Sequence, residues 1–343
     1  MKISFLGTGR WASTLIKVAV DGGHQVKCWD KFPTDFMQTK KNRYVDLSNN
    51  ENVICCEDLA ETLAYTENYV IISILSQQFN NLMEEISKVS GYKDKTFILA
   101  MKGVEASTGK TNSEIAMINY NINRNNIAVT GGPGQPNSIV ENKKINKMVV
   151  AAYNKRVAKE IASIIKTENF QLYPWPDVLG TELCGAFKNV YSALGGMCEA
   201  AGHATLKGHI MSVSVYEVQN YLKGMGCPQE TVIHLPLLAD YNATMYDPVS
   251  HNLTYGKEVI KQKTINPDLD FVSVESKEAA AGLIRRLEQR NAQLSDYMQI
   301  KAPLLQTFNN IIDKKIKIED IIPEVNKAID LSLKDWADKS FDF

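Results

Sequence analysis

Lys2-Ile3-Ser4-Phe5-Leu6-Gly7-Thr8-Gly9-Arg10-Trp11-Ala12 is the stretch that decides how the chain is read. Ile3, Phe5 and Leu6 form a short apolar run of strand character, and G-x-G-x-x-A follows at once. Ser13-Thr-Leu-Ile-Lys-Val-Ala-Val20 then reads as a helix. Strand, glycine turn and helix in that order are the context a dinucleotide fingerprint requires. Gly7 permits the tight turn, Gly9 lets the backbone approach a pyrophosphate, and Ala12 is small enough for helix to pack on strand. The phosphates would sit on the unpaired N–H groups of the helix start, with the dipole in their favour.

A second apolar strand, Gln25-Val-Lys-Cys-Trp-Asp30, follows and ends in an acid 23 positions after Gly7. That is near the spacing for a carboxylate that bonds both ribose hydroxyls. Asp30 would repel a 2′-phosphate, which favours NAD over NADP, with Lys31 beside it working the other way.

The rest of the first half repeats the alternation. Strand signals occur at Val53-Ile-Cys, Tyr69 to Ile74, Thr96 to Met101, Ile127 to Thr130, Met148 to Ala152 and Phe170 to Tyr173. Helical patterns separate most of them, and a polar, Lys- and Asn-rich stretch runs from Asp30 to about Asn52. This predicts an α/β fold, a doubly wound and mostly parallel sheet. Ligand contacts belong in the loops after the strands: Gly7, Gly9, Arg10 and Trp11, then Asp30, Ser76 to Phe79, Lys102, and Gly132 to Pro136.

Composition shifts at Trp175-Pro176. We expect a dinucleotide-binding domain over 1–176 and an all-helical domain over 177–343. Leu183, Phe187, Val190, Leu194 and Met197 are spaced 4, 3, 4, 3 and form a helical stripe facing a core. Ile210 to Leu222 is almost continuously apolar, and Lys277 to Gln289 and Ser295 to Ile312 read as further helices.

The 343 residues suffice for two domains and a large core, and the net charge of −1 points to neither nucleic acid nor membrane. The six cysteines form no C-x-x-C and read as reduced thiols of a cytoplasmic protein. No apolar run approaches the length of a membrane span, and no secretory leader is evident. The histidines form no metal pattern, and His24 and His209 read as structural. Gly103 to Thr111 imitates a phosphate loop, but five residues separate its glycines where four are needed. The sequons at Asn242 and Asn252 have no meaning without a secretion route.

Lys188 is the main candidate for chemistry. Its helical neighbourhood carries Cys184, Gly185, Tyr191, Ser192 and Gly195, and the small residues among them leave room for a ligand. A partly desolvated lysine can act as acid or base near neutrality. Asp240 and Thr244, four apart, would share a helical face and could hold a lysine or a substrate oxygen.

These pieces together resemble the NAD-dependent glycerol-3-phosphate dehydrogenases over essentially the whole chain. The matching residues are Gly7 to Ala12, Gly23 to Trp29, Lys102-Gly-Val-Glu105 with Thr108-Gly109, Gly132-Pro133, Pro176 to Gly180 and Gly185 to Val190. Ala239-Asp240 with Thr244, Ser250-His-Asn252 with Gly256, and Val274-Glu-Ser276 complete the set. The resemblance implies a Rossmann domain joined to a helical domain of the 6-phosphogluconate dehydrogenase type. Related β-hydroxyacid dehydrogenases and ketopantoate reductases show Lys-x-x-x-Asn, whereas here position 192 is Ser and the Asn is Asn189. It further implies Lys188 as proton donor to a ketone, oriented by Asn189, Asp240 and Thr244. Lys102 would lie over cofactor and substrate, and Phe79, Asn252 and Glu275 would join the cofactor contacts. Thr205, Lys207, His251 and Asn252 would face the substrate, dihydroxyacetone phosphate. No metal is implied, and a homodimer is the family's habit.

Three departures concern the same pocket. Thr205-Leu-Lys207 stands where the family has Asn-x-Arg/Lys, and His251 stands where it has an arginine. A histidine offers no bidentate fork and bonds an anion strongly only when protonated. Pro136 stands where the family offers a backbone N–H. Two other readings therefore stay open: a reductase of this fold acting on another small ketone, and an NAD-binding protein without turnover.

Overall fold

The structure, a computed structural model, describes residues 1–141, 145–270 and 274–341. The chain forms two compact units, Met1–Lys102 with Asn112–Thr181, and Gly103–Thr111 with Glu182–Phe343.

The first unit holds strands β1 (Lys2–Leu6), β2 (Gln25–Trp29), β3 (Val53–Cys55), β4 (Tyr69–Ile72), β5 (Thr96–Leu99), β6 (Ile127–Gly131), β7 (Asn146–Ala152) and β8 (Phe170–Trp175). They form one sheet in the order β3-β2-β1-β4-β5-β6-β7-β8, parallel except where β7 runs against β6. Its helices are α1 (Arg10–Asp21), α2 (Asp35–Thr39), α3 (Leu59–Tyr65), α4 (Phe79–Ile86), α5 (Asn112–Tyr120), α6 (Pro136–Val140) and α7 (Lys155–Ile164).

Period-2 alternation explains why the strands are apolar throughout. Ile3, Phe5 and Ile71 join one core cluster, with Leu15 and Ile16 of α1 and Ile161 of α7. Leu6, Val70 and Ile72 join the other, with Leu82 and Met83 of α4 and Ile115 of α5. A sheet covered by helices on both faces needs apolar side chains on both, so its strands read as continuous runs. The strand order reverses between β1 and β4, the switch point where such sheets bind ligands.

The second unit contains α8 (Val178–Ala200, entering from the first unit), α9 (Leu206–Gly224), α10 (Asp240–Met245), α11 (His251–Lys261), α12 (Glu275–Asn291), α13 (Pro303–Ile312) and α14 (Ile321–Phe341). The units part inside α8, after Thr181, rather than before it, and residues 103–111 join the helical unit. Gly109 accounts for that excursion. Its φ is 71°, a Cβ there would press on the backbone of Arg286, and Arg286 Nη1 donates to its carbonyl at 3.1 Å.

Two expectations need correction. Ser295 to Ile312 is not one helix: Asp296–Met298 is a single tight turn, and α13 begins at Pro303. A proline suits a helix start because it has no N–H to lose, and it biases the residue before it away from helix. His24 is structural, with Nε2 at 2.9 Å from the Ile164 carbonyl, but His209 is exposed on α9.

Candidate active site

The β1–α1 turn is built on two glycines with different reasons. Gly7 has φ 105° and a Cβ would strike the Ser73 carbonyl, so close approach of β1 to the end of β4 demands glycine. Gly9 has an ordinary φ of −65°, and a Cβ there would meet nothing within 4 Å. What glycine provides at that position is open space in front of α1, whose N-cap it is, with no capping side chain. Such a helix start fits a pyrophosphate.

Asp30 closes on this turn. Its carboxylate accepts from Thr8 N at 2.7 Å, Thr8 Oγ1 at 2.8 Å and Phe32 N at 3.2 Å. A carboxylate has about four acceptor positions, so capacity for a ribose hydroxyl remains beside these bonds. Lys31 pairs with Glu85 at 2.6 Å. The residues present therefore fit a dinucleotide.

The other expected cofactor residues differ in what the fold does with them. Arg10 stacks over the Tyr44 ring at 4.9 Å. Trp11 packs edge-on against Phe170 at 6.5 Å, and a Cβ on Gly134 would press on its ring. Pro136 opens α6, and Lys102 lies three residues beyond β5. Phe79 is fully buried in the core at the start of α4.

In the helical unit, Lys188 is buried on α8, with Nζ 3.0 Å from Thr244 Oγ1 and 3.7 Å from Asp240 Oδ1. Thr244 Oγ1 in turn donates to the Asp240 carbonyl at 2.8 Å, one helical turn back. That leaves the threonine oxygen lone pairs for the ammonium. The π-turn Leu235–Ala239 runs directly into α10 and presents Asp240 at its first position. Carboxylate, hydroxyl and ammonium thus form one buried group.

Asn189, next on α8, donates Nδ2 to Glu275 Oε2 at 2.8 Å, while its Oδ1 is buried with no partner among the described residues. Asn252 Oδ1 accepts from Ser276 N at 3.2 Å. The two asparagines hold the start of α12, where Glu275 sits. His251 is the first residue of α11 and half-buried. Thr205, immediately before α9, is exposed and caps nothing with its side chain.

Two glycines set where α11 lies. A Cβ on Gly196 would strike the Leu253 carbonyl, and one on Gly256 would strike the Ala193 carbonyl. Helices α8 and α11 therefore touch backbone to backbone, which brings Lys257 to Glu199. Lys207 of α9 reaches the same carboxylate: Lys207 Nζ lies 2.6 Å from Glu199 Oε2, and Lys257 Nζ 2.5 Å from Oε1. Sequence reasoning missed Glu199 and Lys257. Their signal was weak, although Glu199 is eleven residues after Lys188, just over three full turns, and so on the same helical face. Among the described residues no group of acidic, His and Cys side chains could hold a metal ion, and no helix is long and apolar enough to cross a membrane.

Comparison with known proteins places the chain in one family. The N-terminal signature of the NAD-dependent glycerol-3-phosphate dehydrogenases covers residues 2–158, and the C-terminal signature covers 177–323. The chain belongs to this family. It is an NAD-dependent dehydrogenase acting on a CH–OH group. A glycerol-3-phosphate dehydrogenase (NAD(P)+) of Wolbachia pipientis is 26% identical over 333 residues, 94% of this chain and 98% of that protein. One from a Thermoanaerobacter species is 27% identical over 281 residues, 80% of this chain and 83% of that protein. The crystal structure of the Coxiella burnetii glycerol-3-phosphate dehydrogenase has the same fold, with a TM-score of 0.78 at 19% identity, covering 94% of this chain and 98% of the other.

Proposed function

We propose that this family member reduces dihydroxyacetone phosphate to sn-glycerol 3-phosphate and runs the reverse reaction, with Lys188 as general acid and base. The observation that carries the reading is the buried Lys188 ammonium, 3.0 Å from Thr244 Oγ1 and 3.7 Å from Asp240. Bound NADH supplies the hydride. As the carbonyl carbon accepts it, negative charge grows on the oxygen, and an ammonium there both stabilises that charge and delivers the proton. Asp240 and Thr244 hold Lys188 aimed before the proton leaves. In the oxidative direction Lys188 takes the hydroxyl proton back.

Gly7, Gly9, Arg10 and Trp11 hold the pyrophosphate side of the cofactor in this reading, and Asp30 bonds the ribose. That carboxylate disfavours a 2′-phosphate, so NAD is preferred to NADP. Lys102, Asn252 and Glu275 complete the cofactor contacts, and Lys207 and His251 face the substrate phosphate. A second reading, a different small ketone, follows from His251: the missing guanidinium fork leaves a weaker anion clamp. The molecule would act as a homodimer, which light scattering after gel filtration tests.

Replacing Lys188 by alanine is expected to lower kcat about 10²–10⁴-fold, the usual worth of a general acid. NADH affinity should stay within about twofold, read by quenching of the protein fluorescence. Turnover that survives the substitution would overturn the assignment.

A further inference from the structure

Glu199 is set between two ammonium groups from two other helices, as a bound anion would be. Its carboxylate oxygens each take one: Lys207 at 2.6 Å and Lys257 at 2.5 Å. The partners are unequal. The Lys207 side chain is 9% exposed, and its ammonium also lies 4.5 Å from the centre of the Tyr246 ring. The Glu199 side chain is 30% exposed. The lysine is fixed and desolvated, and the carboxylate has room to swing out to water.

The cluster adjoins the proton-donating group. Lys188, Ser192, Gly195 and Glu199 fall within about 60° of one another on α8. A Cβ on Gly195 would press on Met245 and come within 3.5 Å of Lys207 Cγ. Lys207 therefore runs past α8 at Gly195, about 10 Å along the helix from Lys188 at 1.5 Å per residue. Met245 and Tyr246 follow Thr244 directly.

We propose that Glu199 is an exchangeable counter-ion, a carboxylate that occupies Lys207 and Lys257 until the phosphate of the substrate displaces it. This rests on the reading of the substrate as a phosphate ester. A buried ammonium left without an anion is costly. Departure of Glu199 therefore requires a replacement anion at Lys207. A phosphate dianion matches the two positive charges, whereas the carboxylate matches only one. An unphosphorylated ketone supplies nothing and leaves Glu199 in place. The device sets specificity at the cost of affinity, because part of the phosphate's binding energy goes into displacing the internal anion. Burial alone would push the Glu199 carboxyl up, and the two lysines override this and hold it below the ordinary glutamate value. The internal anion is therefore present at neutral pH and must be outcompeted.

The test is Glu199→Gln, with kinetics on dihydroxyacetone phosphate and on dihydroxyacetone, and with inorganic phosphate as a thermal-shift ligand and competitive inhibitor. We expect KM for the phosphate ester and Ki for inorganic phosphate to fall about tenfold, with kcat and the dihydroxyacetone KM within about twofold. Unchanged or raised values in a folded variant would show that Glu199 is only a staple between helices and would overturn the proposal. Should Glu199→Gln not fold, Lys257→Gln serves: KM for the ester and Ki for phosphate should rise at least severalfold with dihydroxyacetone unaffected, and no rise overturns the proposal. If the wild type is inert on dihydroxyacetone phosphate, the functional reading fails by itself. Inorganic phosphate then decides the exchange alone: stronger thermal stabilisation of Glu199→Gln than of the wild type supports it, and equal stabilisation overturns it.

Discussion

Single residues carry most of the proposed chemistry, and their legibility depended on whether their partners were local. Lys188 was conspicuous because small side chains surround it on its own helix. Asp240 and Thr244 were linked by a four-residue interval that puts them on one face. Glu199 and Lys257 were invisible as a pair, since their contact depends on Gly196 and Gly256 bringing two distant helices to backbone contact. Phe79, expected beside the cofactor from its place after a strand, has its ring buried in the core at the start of α4. His251 stands where the family resemblance implies an arginine. A hydrogen bond to a charged group is worth about 1.5–3 kcal/mol, or roughly 10- to 100-fold. Arginine at this position is therefore expected to lower KM for dihydroxyacetone phosphate by a factor in that range, with kcat little changed. Steady-state kinetics of His251→Arg checks this. An unchanged or raised KM would favour the reading in which the pocket serves another ketone.

At the scale of elements, the apolar periodicity identified α8, α9 and α12, because a 3.6-residue stripe is a local property. It failed between Ser295 and Ile312, where Pro303 starts a new helix. It also hid a polar centre. Glu217 lies on α9 in a run that reads as continuously apolar, and it is completely buried. Its carboxylate accepts from Tyr191 OH of α8 at 3.0 Å, Ser332 Oγ of α14 at 2.7 Å and the N–H groups of Leu304 and Leu305, at 2.8 and 3.4 Å, in the first turn of α13. Four helices meet on one side chain. Burial pushes its carboxyl up to about 7, against the pull of these donors toward the charged form. The folded chain thus holds this proton more tightly than the unfolded chain does. The resulting stabilisation is complete below the ordinary glutamate range and is lost as pH rises through about 7. Glutamine is neutral at every pH. Glu217→Gln should therefore remove one proton's worth of the fall in stability between about pH 5 and 7, read from urea unfolding across that range. An identical slope in both proteins would show that Glu217 does not titrate there.

For the whole molecule, the doubly wound sheet was legible from its first fifteen residues onward, since buried parallel strands leave continuous apolar runs and glycine turns mark the switch point. The antiparallel β7 was not, because pairing direction leaves no trace in the composition of a strand buried on both faces. Nor was the excursion of 103–111, which depends on Gly109 meeting Arg286 far along the chain. The two units divide the labour that the proposed reaction needs. One offers a glycine turn and Asp30 for the cofactor, and the other offers Lys188 with Asp240 and Thr244 for the proton. The most direct measurement is NADH oxidation with dihydroxyacetone phosphate, set beside unphosphorylated and differently phosphorylated ketones, with NADPH as the alternative donor. Expected are rapid turnover on dihydroxyacetone phosphate, slower turnover on every other ketone, and a higher kcat/KM with NADH than with NADPH. Tight NADH binding with no oxidation by dihydroxyacetone phosphate would contradict the proposed function.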